Sequence, residues 1–139
     1  MPLINNWDLK DSNTNVLRVK VEGAEQYESR YVVSDLGATF GKTGNTITHN
    51  RNAPGDFEQA KFVKGVRGNI VQFDFRATHA DILRDVTVEQ AKWIGNLLSQ
   101  LSDQQISDAF RAGNYSPEET QSLTQALRSR INELVNLPG

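Results

Sequence analysis

The sequence predicts an α+β fold, in which N-terminal β-hairpins with polar loops pack on a C-terminal layer of about three helices. Three observations support this prediction. Apolar and charged residues alternate from Val16 to Val21, as in a half-buried strand. A second alternation of this kind runs from Val71 to Phe75. Beyond Thr87, apolar residues recur at helical spacing in three stretches, and each stretch follows a residue type that caps helices.

The first hairpin is expected in the first third of the chain. After the strand at residues 16–21, residues 23–29 are mostly polar, and residues 30–33 again favour a strand. This order predicts strand, loop and strand.

The middle of the chain is predicted to hold a long loop and a second hairpin. Residues 44–56 are polar and rich in Gly and Asn, and Pro54-Gly55-Asp56 is expected to close this exposed loop. Residues 57–66 permit either a short helix or a strand. Residues 65–69 have turn chemistry and lead into the alternating strand, which indicates a hairpin.

Each of the three predicted helices begins with a capping box. Thr87, Ser102 and Ser116 are the expected N-caps, because each is followed three residues later by Gln or Glu. Gly113 is expected at the C′ position of the second helix, and Pro138 is expected to end the third.

The side chains of this helical layer divide into expected core and expected solvated positions. The apolar face of the first helix is expected to comprise Val88, Ala91, Ile94, Leu97, Leu98 and Leu101. We interpret the aromatic residues as core or rim positions: Trp93, Phe110 and Tyr115. We interpret four polar side chains as a solvated face: Gln104, Arg111, Arg128 and Arg130.

The length and composition suit one globular domain. The chain has 139 residues, of which 37% are hydrophobic and 23% are charged. We expect a single domain at 1–139, with a hairpin unit at 1–43, a loop and second hairpin at 44–86, and the helical layer at 87–137.

Charge and residue usage argue against several classes of function. A net charge of −2 with dispersed basic residues predicts neither a nucleic-acid nor a membrane partner. The chain has no cysteine, and its two histidines are far apart in sequence, so disulfides and a zinc centre are not expected. The sequence contains neither a long apolar run nor a signal-like N-terminal segment, which favours a cytoplasmic location.

Two short motifs carry the clearest chemical pattern. In the stretch Asn5-Asn6-Trp7-Asp8-Leu9-Lys10-Asp11-Ser12-Asn13, Asp8 and Asn13 stand at a D-x-x-x-x-N interval. Further on, a strand-like run leads into Asp35-Leu36-Gly37. Considered singly, a polar run near a terminus and an acid before Gly are more typical of caps and turns. The paired spacing favours a functional site.

These motifs, in this order and with a hairpin between them, resemble the protein-kinase signatures H-R-D-L-x-x-x-N and D-F-G. The resemblance covers roughly residues 5 to 41 and is to the C-terminal lobe of a divergent, atypical and bacterial-looking kinase-like phosphotransferase. It implies that Asp8 is the catalytic base, that Lys10 contacts the γ-phosphate of ATP, and that Asn13 and Asp35 bind Mg²⁺. Carboxylate and amide oxygens suit these roles.

The sequence also departs from the kinase pattern. Asn6-Trp7 stands where the family has His-Arg, Leu36 replaces Phe, and the interval from Asp8 to Asp35 is longer than in typical protein kinases. The loop begins almost at Met1, so we expect a truncated module that lacks the N-terminal lobe and is incomplete or inactive alone. A protein partner or a homo-oligomer is then expected to cover the surface that the missing lobe would occupy.

Two other functions fit the sequence. One is a non-catalytic binding, regulatory or self-associating module. The weaker alternative is a P-loop-like nucleotide hydrolase that uses Gly41-Lys42-Thr43. The stretch from Gly37 has three residues between its glycines, whereas the P-loop pattern has four, and no helical periodicity follows Thr43.

Overall fold

A computed structural model describes residues 1–44, 47–77 and 79–138. The fold is α+β, as the sequence predicts, with two antiparallel hairpins and a helical layer. The strands are β1 (Thr14–Lys20), β2 (Tyr27–Val33), β3 (Val63–Arg67) and β4 (Ile70–Phe73). The helices are α1 (Pro54–Gln59), α2 (Val88–Leu98), α3 (Asp103–Ala112) and α4 (Pro117–Val135). Short 3-10 turns occur at Pro2–Ile4, Asp11–Asn13, Leu36–Ala38 and Ala80–Leu83.

The three predicted capping boxes are present at the starts of α2, α3 and α4. At each start, the hydroxyl of the N-cap accepts a hydrogen bond from a backbone N–H in the first turn, and the side chain three residues later accepts one from the N-cap N–H. These local bonds satisfy donors that a helix start leaves unpaired. The capping-box pattern therefore locates the first residue of α2, α3 and α4 correctly.

Helix α4 lies at the centre of the layer and contacts α1, α2 and α3. Two apolar clusters flank it. The first lies between the second hairpin, α2 and the end of α4, and contains Phe62, Val71, Val88, Ala91, Leu134 and Leu137. The second lies between α1, α3 and α4, and contains Phe57, Ile106, Phe110, Leu123 and Ile131.

The buried face of α2 differs from the predicted one. Val88, Ala91 and Gly95 are buried, whereas Ile94, Leu97 and Leu101 are partly exposed. The core or rim assignment is wrong for Trp93, which is 64% exposed. One reason is that α2 packs tightly on α4 at a glycine: a Cβ added at Gly95 would lie 2.7 Å from Leu134 Cβ. The buried face of α2 therefore includes a residue that hydrophobic periodicity does not mark.

Two predictions about element boundaries are also wrong. Pro54-Gly55-Asp56 forms the first turn of α1 and does not belong to an exposed loop. Gly113 is the C-cap of α3 with a φ of −76°, and the left-handed residue after the helix is Asn114, with a φ of 64°. Asn tolerates that conformation better than most residues, so it can replace Gly there.

Arg130 was expected on a solvated face, and this expectation is wrong. Its side chain is buried at 3% exposure in the middle of α4. The guanidinium donates to five oxygens: the backbone carbonyls of Pro2, Leu3, Phe57 and Ala60, and Oδ1 of Asn5, at 2.9–3.2 Å. It also lies over the Phe57 ring, 3.9 Å from the centroid. Arg130 therefore joins the N-terminal segment and α1 to α4.

The two hairpins differ in their surroundings. Helices cover the second hairpin, whose Val71 is buried in the first apolar cluster. The first hairpin pairs Thr14 with Val33 and Lys20 with Tyr27 in regular antiparallel register, and its faces are largely exposed. The expectation that helices cover apolar hairpin faces therefore holds for the second hairpin but not for the first. Within the ranges described, no helix has both the length and the apolar content needed to cross a bilayer.

Candidate functional site

Side chains of the residues just before Asp8 hold the loop that carries it. Asn6 is buried, and its Oδ1 accepts the backbone N–H of Asp8 at 3.0 Å. The Trp7 indole donates to the backbone carbonyl of Asn50 at 2.9 Å. These two residues occupy the His-Arg positions of the kinase pattern, and both fix the backbone that leads to Asp8.

Asn5 ties the same loop to the rest of the molecule. It is buried in a left-handed conformation with a φ of 51°. Its amide donates to the carbonyl of Gly41 at 2.7 Å, and its Oδ1 accepts from Arg130 at 2.9 Å. Asn5 therefore connects the Asp8 loop to the loop that follows Asp35 and to α4.

Three of the four predicted site residues lie together. Lys10 Nζ is 3.1 Å from Asp8 Oδ2. The Asn13 amide donates to the same carboxylate oxygen and to the Asp8 carbonyl, each at 3.3 Å. The Asp8 side chain is 16% exposed and that of Lys10 is 66% exposed. The cluster thus lies at the surface, with its carboxylate partly shielded.

Asp35, the fourth predicted residue, follows the other end of the first hairpin. The N–H of Ser34 donates to the carbonyl of Asn13 at 2.8 Å, which closes the hairpin at its base. Asn13 directly precedes β1 and Asp35 follows soon after β2, so both residues lie at the base of the first hairpin. Throughout the described segments, the Asp35 carboxylate makes no hydrogen bond or ion pair, and its backbone is left-handed with a φ of 53°. Among the described residues, Asp35 thus has a carboxylate without a bonding partner, next to the hairpin base.

Phe40 ties the loop after Asp35 to the helical core. Its backbone N–H donates to the Ile4 carbonyl at 3.0 Å. Its ring makes edge-to-face contacts with Phe57 and Phe110, with centroids 5.4 Å and 5.1 Å apart. Such aromatic pairs add about 1 kcal/mol each beyond the area they bury. Both loops that bear the predicted site residues are therefore held by the helical layer.

The chemistry of the donor set can be compared with the needs of Mg²⁺. Asp8 and Asp35 offer carboxylate oxygens and Asn13 offers an amide oxygen, and these are the hard ligands that Mg²⁺ takes in proteins. Among the residues described, no group of three or more His, Cys, Asp or Glu side chains is placed to hold a metal. The donor types fit Mg²⁺, and a complete coordination sphere would need water or phosphate oxygens in addition.

The Gly41-Lys42-Thr43 stretch has a structural explanation. In a P-loop, the Lys-Ser/Thr end begins a helix. Here residues 47–53 are not helical, and the next helix begins at Pro54. A Cβ at Gly41 would lie 2.6 Å from the Asn50 carbonyl oxygen, so close backbone approach accounts for glycine at this position.

A groove of about 630 Å³ lies between α3 and α4. Polar side chains line it, among them Asp103, Gln104, Arg111, Tyr115 and Gln121. None of the four predicted site residues borders this groove. The groove and the motif residues are therefore different candidate sites. The motif residues are the better candidate, because Asp8, Lys10 and Asn13 are in mutual contact.

Sequence reasoning missed the residues that position the site. Asn6 and Arg130 make contacts that depend on burial. No motif marks Asn6, and the only sequence signal for Arg130 is its place seven residues after Leu123 on the apolar face of α4. Comparison of the chain with protein-family models, with curated proteins and with solved structures finds no match.

Proposed function

We propose that the chain supplies the acidic half of a magnesium-nucleotide phosphotransfer site of the kinase type. This half-site comprises Asp8, Lys10, Asn13 and Asp35. The observation that carries the proposal is the closure of the first hairpin between Asn13 and Ser34. Asp35 directly follows Ser34 in the chain, and Asn13 is the residue that hydrogen-bonds Asp8, which supports the assignment of these residues to one half-site.

Each residue of the half-site has a distinct task. The Asp8 carboxylate, oriented through its backbone bond to Asn6, accepts the proton of an acceptor hydroxyl. Lys10, whose ammonium is 3.1 Å from that carboxylate and mostly exposed, provides a positive charge for an incoming phosphate. Asn13 and Asp35 would hold Mg²⁺, whose charge, when bound, offsets the negative charge of the phosphates.

The half-site is open on one side. Lys10 is mostly exposed, and so are the faces of the hairpin beside it. Phosphoryl transfer depends on positioned charges in a site from which water is excluded. A further polypeptide segment is therefore needed to bind the nucleotide base and close the cleft, and the described residues alone bind metal and phosphate weakly.

The test uses Mn²⁺ as a paramagnetic substitute for Mg²⁺, with and without a non-hydrolysable ATP analogue. Amide signals of residues near Asp8, Asn13 and Asp35 should broaden, and Asp35→Ala should reduce the broadening by at least tenfold at equal metal concentration. Asp81→Ala is the matched control, because Asp81 is an exposed acid in another 3-10 turn.

Uniform broadening at surface acids, or unchanged broadening in Asp35→Ala, would overturn the proposal. The kinase resemblance would then describe ancestry only, and a non-catalytic binding module would be the function left to pursue.

A further inference from the structure

The outer edge of β2 has no neighbouring strand in the part of the chain that the structure describes. Beyond the ends of the strands, Val21 donates to Gln26 and Ser34 donates to Asn13, at 2.9 Å and 2.8 Å. Bonded and non-bonded pairs alternate along an antiparallel ladder. It follows that residues 28, 30 and 32 turn their backbone groups toward β1, whereas Tyr27, Ser29, Tyr31 and Val33 turn theirs outward.

This edge is long, apolar on one face and exposed. Tyr31 is 80% exposed and Tyr27 is 54% exposed, and both lie on the face that also carries Val16. An exposed edge of this kind readily pairs with another strand. A lone two-stranded hairpin is only marginally stable, so the hairpin gains stability from such pairing.

The charges on the other face specify the partner. Glu28 and Arg30 lie two residues apart on β2 and form an ion pair in the isolated chain. If a second β2 is placed antiparallel with Ser29 opposite Ser29, Glu28 stands opposite Arg30 of the second copy and Arg30 stands opposite its Glu28. Tyr27 and Tyr31 then face each other across the junction, twice. Opposite charges and aromatic pairs are the cross-strand combinations that stabilise a sheet.

The neighbouring registers lack this match. A shift in one direction puts Arg30 opposite Arg30, and a shift in the other puts Glu28 opposite Glu28, so both place like charges directly across. The edge of β1 is also unsuitable, because Thr14–Lys20 carries Arg18 and Lys20 but no acid. Charge complementarity thus selects one edge and one register.

We propose that two copies of the chain join through their β2 edges in this register and form a four-stranded antiparallel sheet with Ser29 on the two-fold axis. The junction adds about six backbone hydrogen bonds. This inference goes beyond the metal half-site and does not depend on it, because it uses neither Asp8 nor Asn13 nor Asp35.

The test is sedimentation equilibrium of the full chain from micromolar to millimolar concentration. The wild-type chain should dimerise. Glu28→Arg and Arg30→Glu should each weaken the dimer by about tenfold or more, because each puts like charges opposite each other at two places. The double variant should recover wild-type association, and a mixture of the two single variants should form a heterodimer.

Leu97→Lys is the matched control, since it places a charge on a different exposed apolar surface, that of α2. It should leave the dimer intact. A monomer at every concentration, indifference to the single charge reversals, or dissociation by Leu97→Lys would each overturn the inference. The Mn²⁺ titration of the same variants reports separately on the half-site. Glu28 and Arg30 lie on the exposed hairpin, so circular dichroism should show that each variant folds.

Discussion

Replacing Arg130 with Ala is the sharpest test of how the helical layer holds the N-terminal loops. The side chain is buried and donates to five oxygens, from residues 2–5 and 57–60. Burial lowers the pKa of Arg130 to about 10, and the charge of Glu133 opposes part of this shift. The guanidinium therefore stays charged at neutral pH, and the Arg130→Ala variant leaves its acceptors without a donor.

The expected loss of unfolding free energy is about 3–5 kcal/mol. A hydrogen bond from a charged donor is worth about 1.5–3 kcal/mol, so five bonds summed naively give about 7–15 kcal/mol. That sum is too large, because a buried guanidinium costs several kcal/mol to desolvate and the variant escapes this cost. For a chain of this size, the loss corresponds to a fall in Tm of about 10–20 °C.

The assay is urea unfolding followed by circular dichroism, with Arg111→Ala as the control. Arg111 lies exposed on α3 and pairs with Asp108, so its loss should cost no more than about 0.5 kcal/mol. Arg130→Lys should fall between, because an ammonium has three donors for the five acceptors. A loss below about 1 kcal/mol in Arg130→Ala would refute the reasoning. If Arg130→Ala does not fold, the position of Arg130→Lys relative to Arg111→Ala decides the question.

Two further predictions concern packing and pH. Gly95→Ala should destabilise the fold by about 1–3 kcal/mol, because its Cβ would meet Leu134 at 2.7 Å. The control Gly55→Ala, in open space on α1, should stabilise the fold by up to about 1 kcal/mol. Equal effects of the two substitutions on urea unfolding would contradict the packing argument. Burial lowers the pKa of the Met1 amino group from 8.0 to about 5, so the unfolded chain binds more protons between these values and the unfolding free energy should rise from pH 5 to pH 8. N-terminal acetylation should flatten this rise, and a rise unchanged by acetylation would assign it to another group.

The sequence predictions were correct where structure depends on residues close in sequence and failed where it depends on residues far apart in sequence. The capping boxes and the first hairpin depend on residues within a few positions of each other or on strand alternation, and these predictions were confirmed. The burial of Arg130 depends on acceptors 70–128 residues away in sequence. Helical spacing places Arg130, seven residues after Leu123, on the apolar face of α4, whereas Arg128 lies off that face and is 22% exposed. Because a charged residue is usually solvated, the residue type favoured exposure of Arg130 despite its position.

The candidate site shows the same division. The interval between Asp8 and Asn13 is local, and in the structure their side chains are in contact. The support from Asn6 could not be predicted, because an asparagine in a polar stretch is usually solvated and this one is buried. The proximity of Asn13 to Asp35 needed the exact register of β1 against β2, which alternation alone does not set.

The geometry of the first hairpin sets how far apart the two half-sites of a dimer lie. Ser29, the centre of the proposed dimer junction, is six residues before Asp35 at the hairpin base, and a strand rises about 3.3 Å per residue. The junction therefore lies about 20 Å from each half-site, and the two half-sites of a dimer lie about 40 Å apart. The pairing of Ser29 with Ser29 also sets residue 25 of the second copy opposite Val33, so the hairpin turn of the second copy, residues 21–26, lies beside the end of β2 that leads to Asp35. The two half-sites of a dimer are too far apart to complete each other, so a dimer that shows no nucleotide affinity would agree with both proposals.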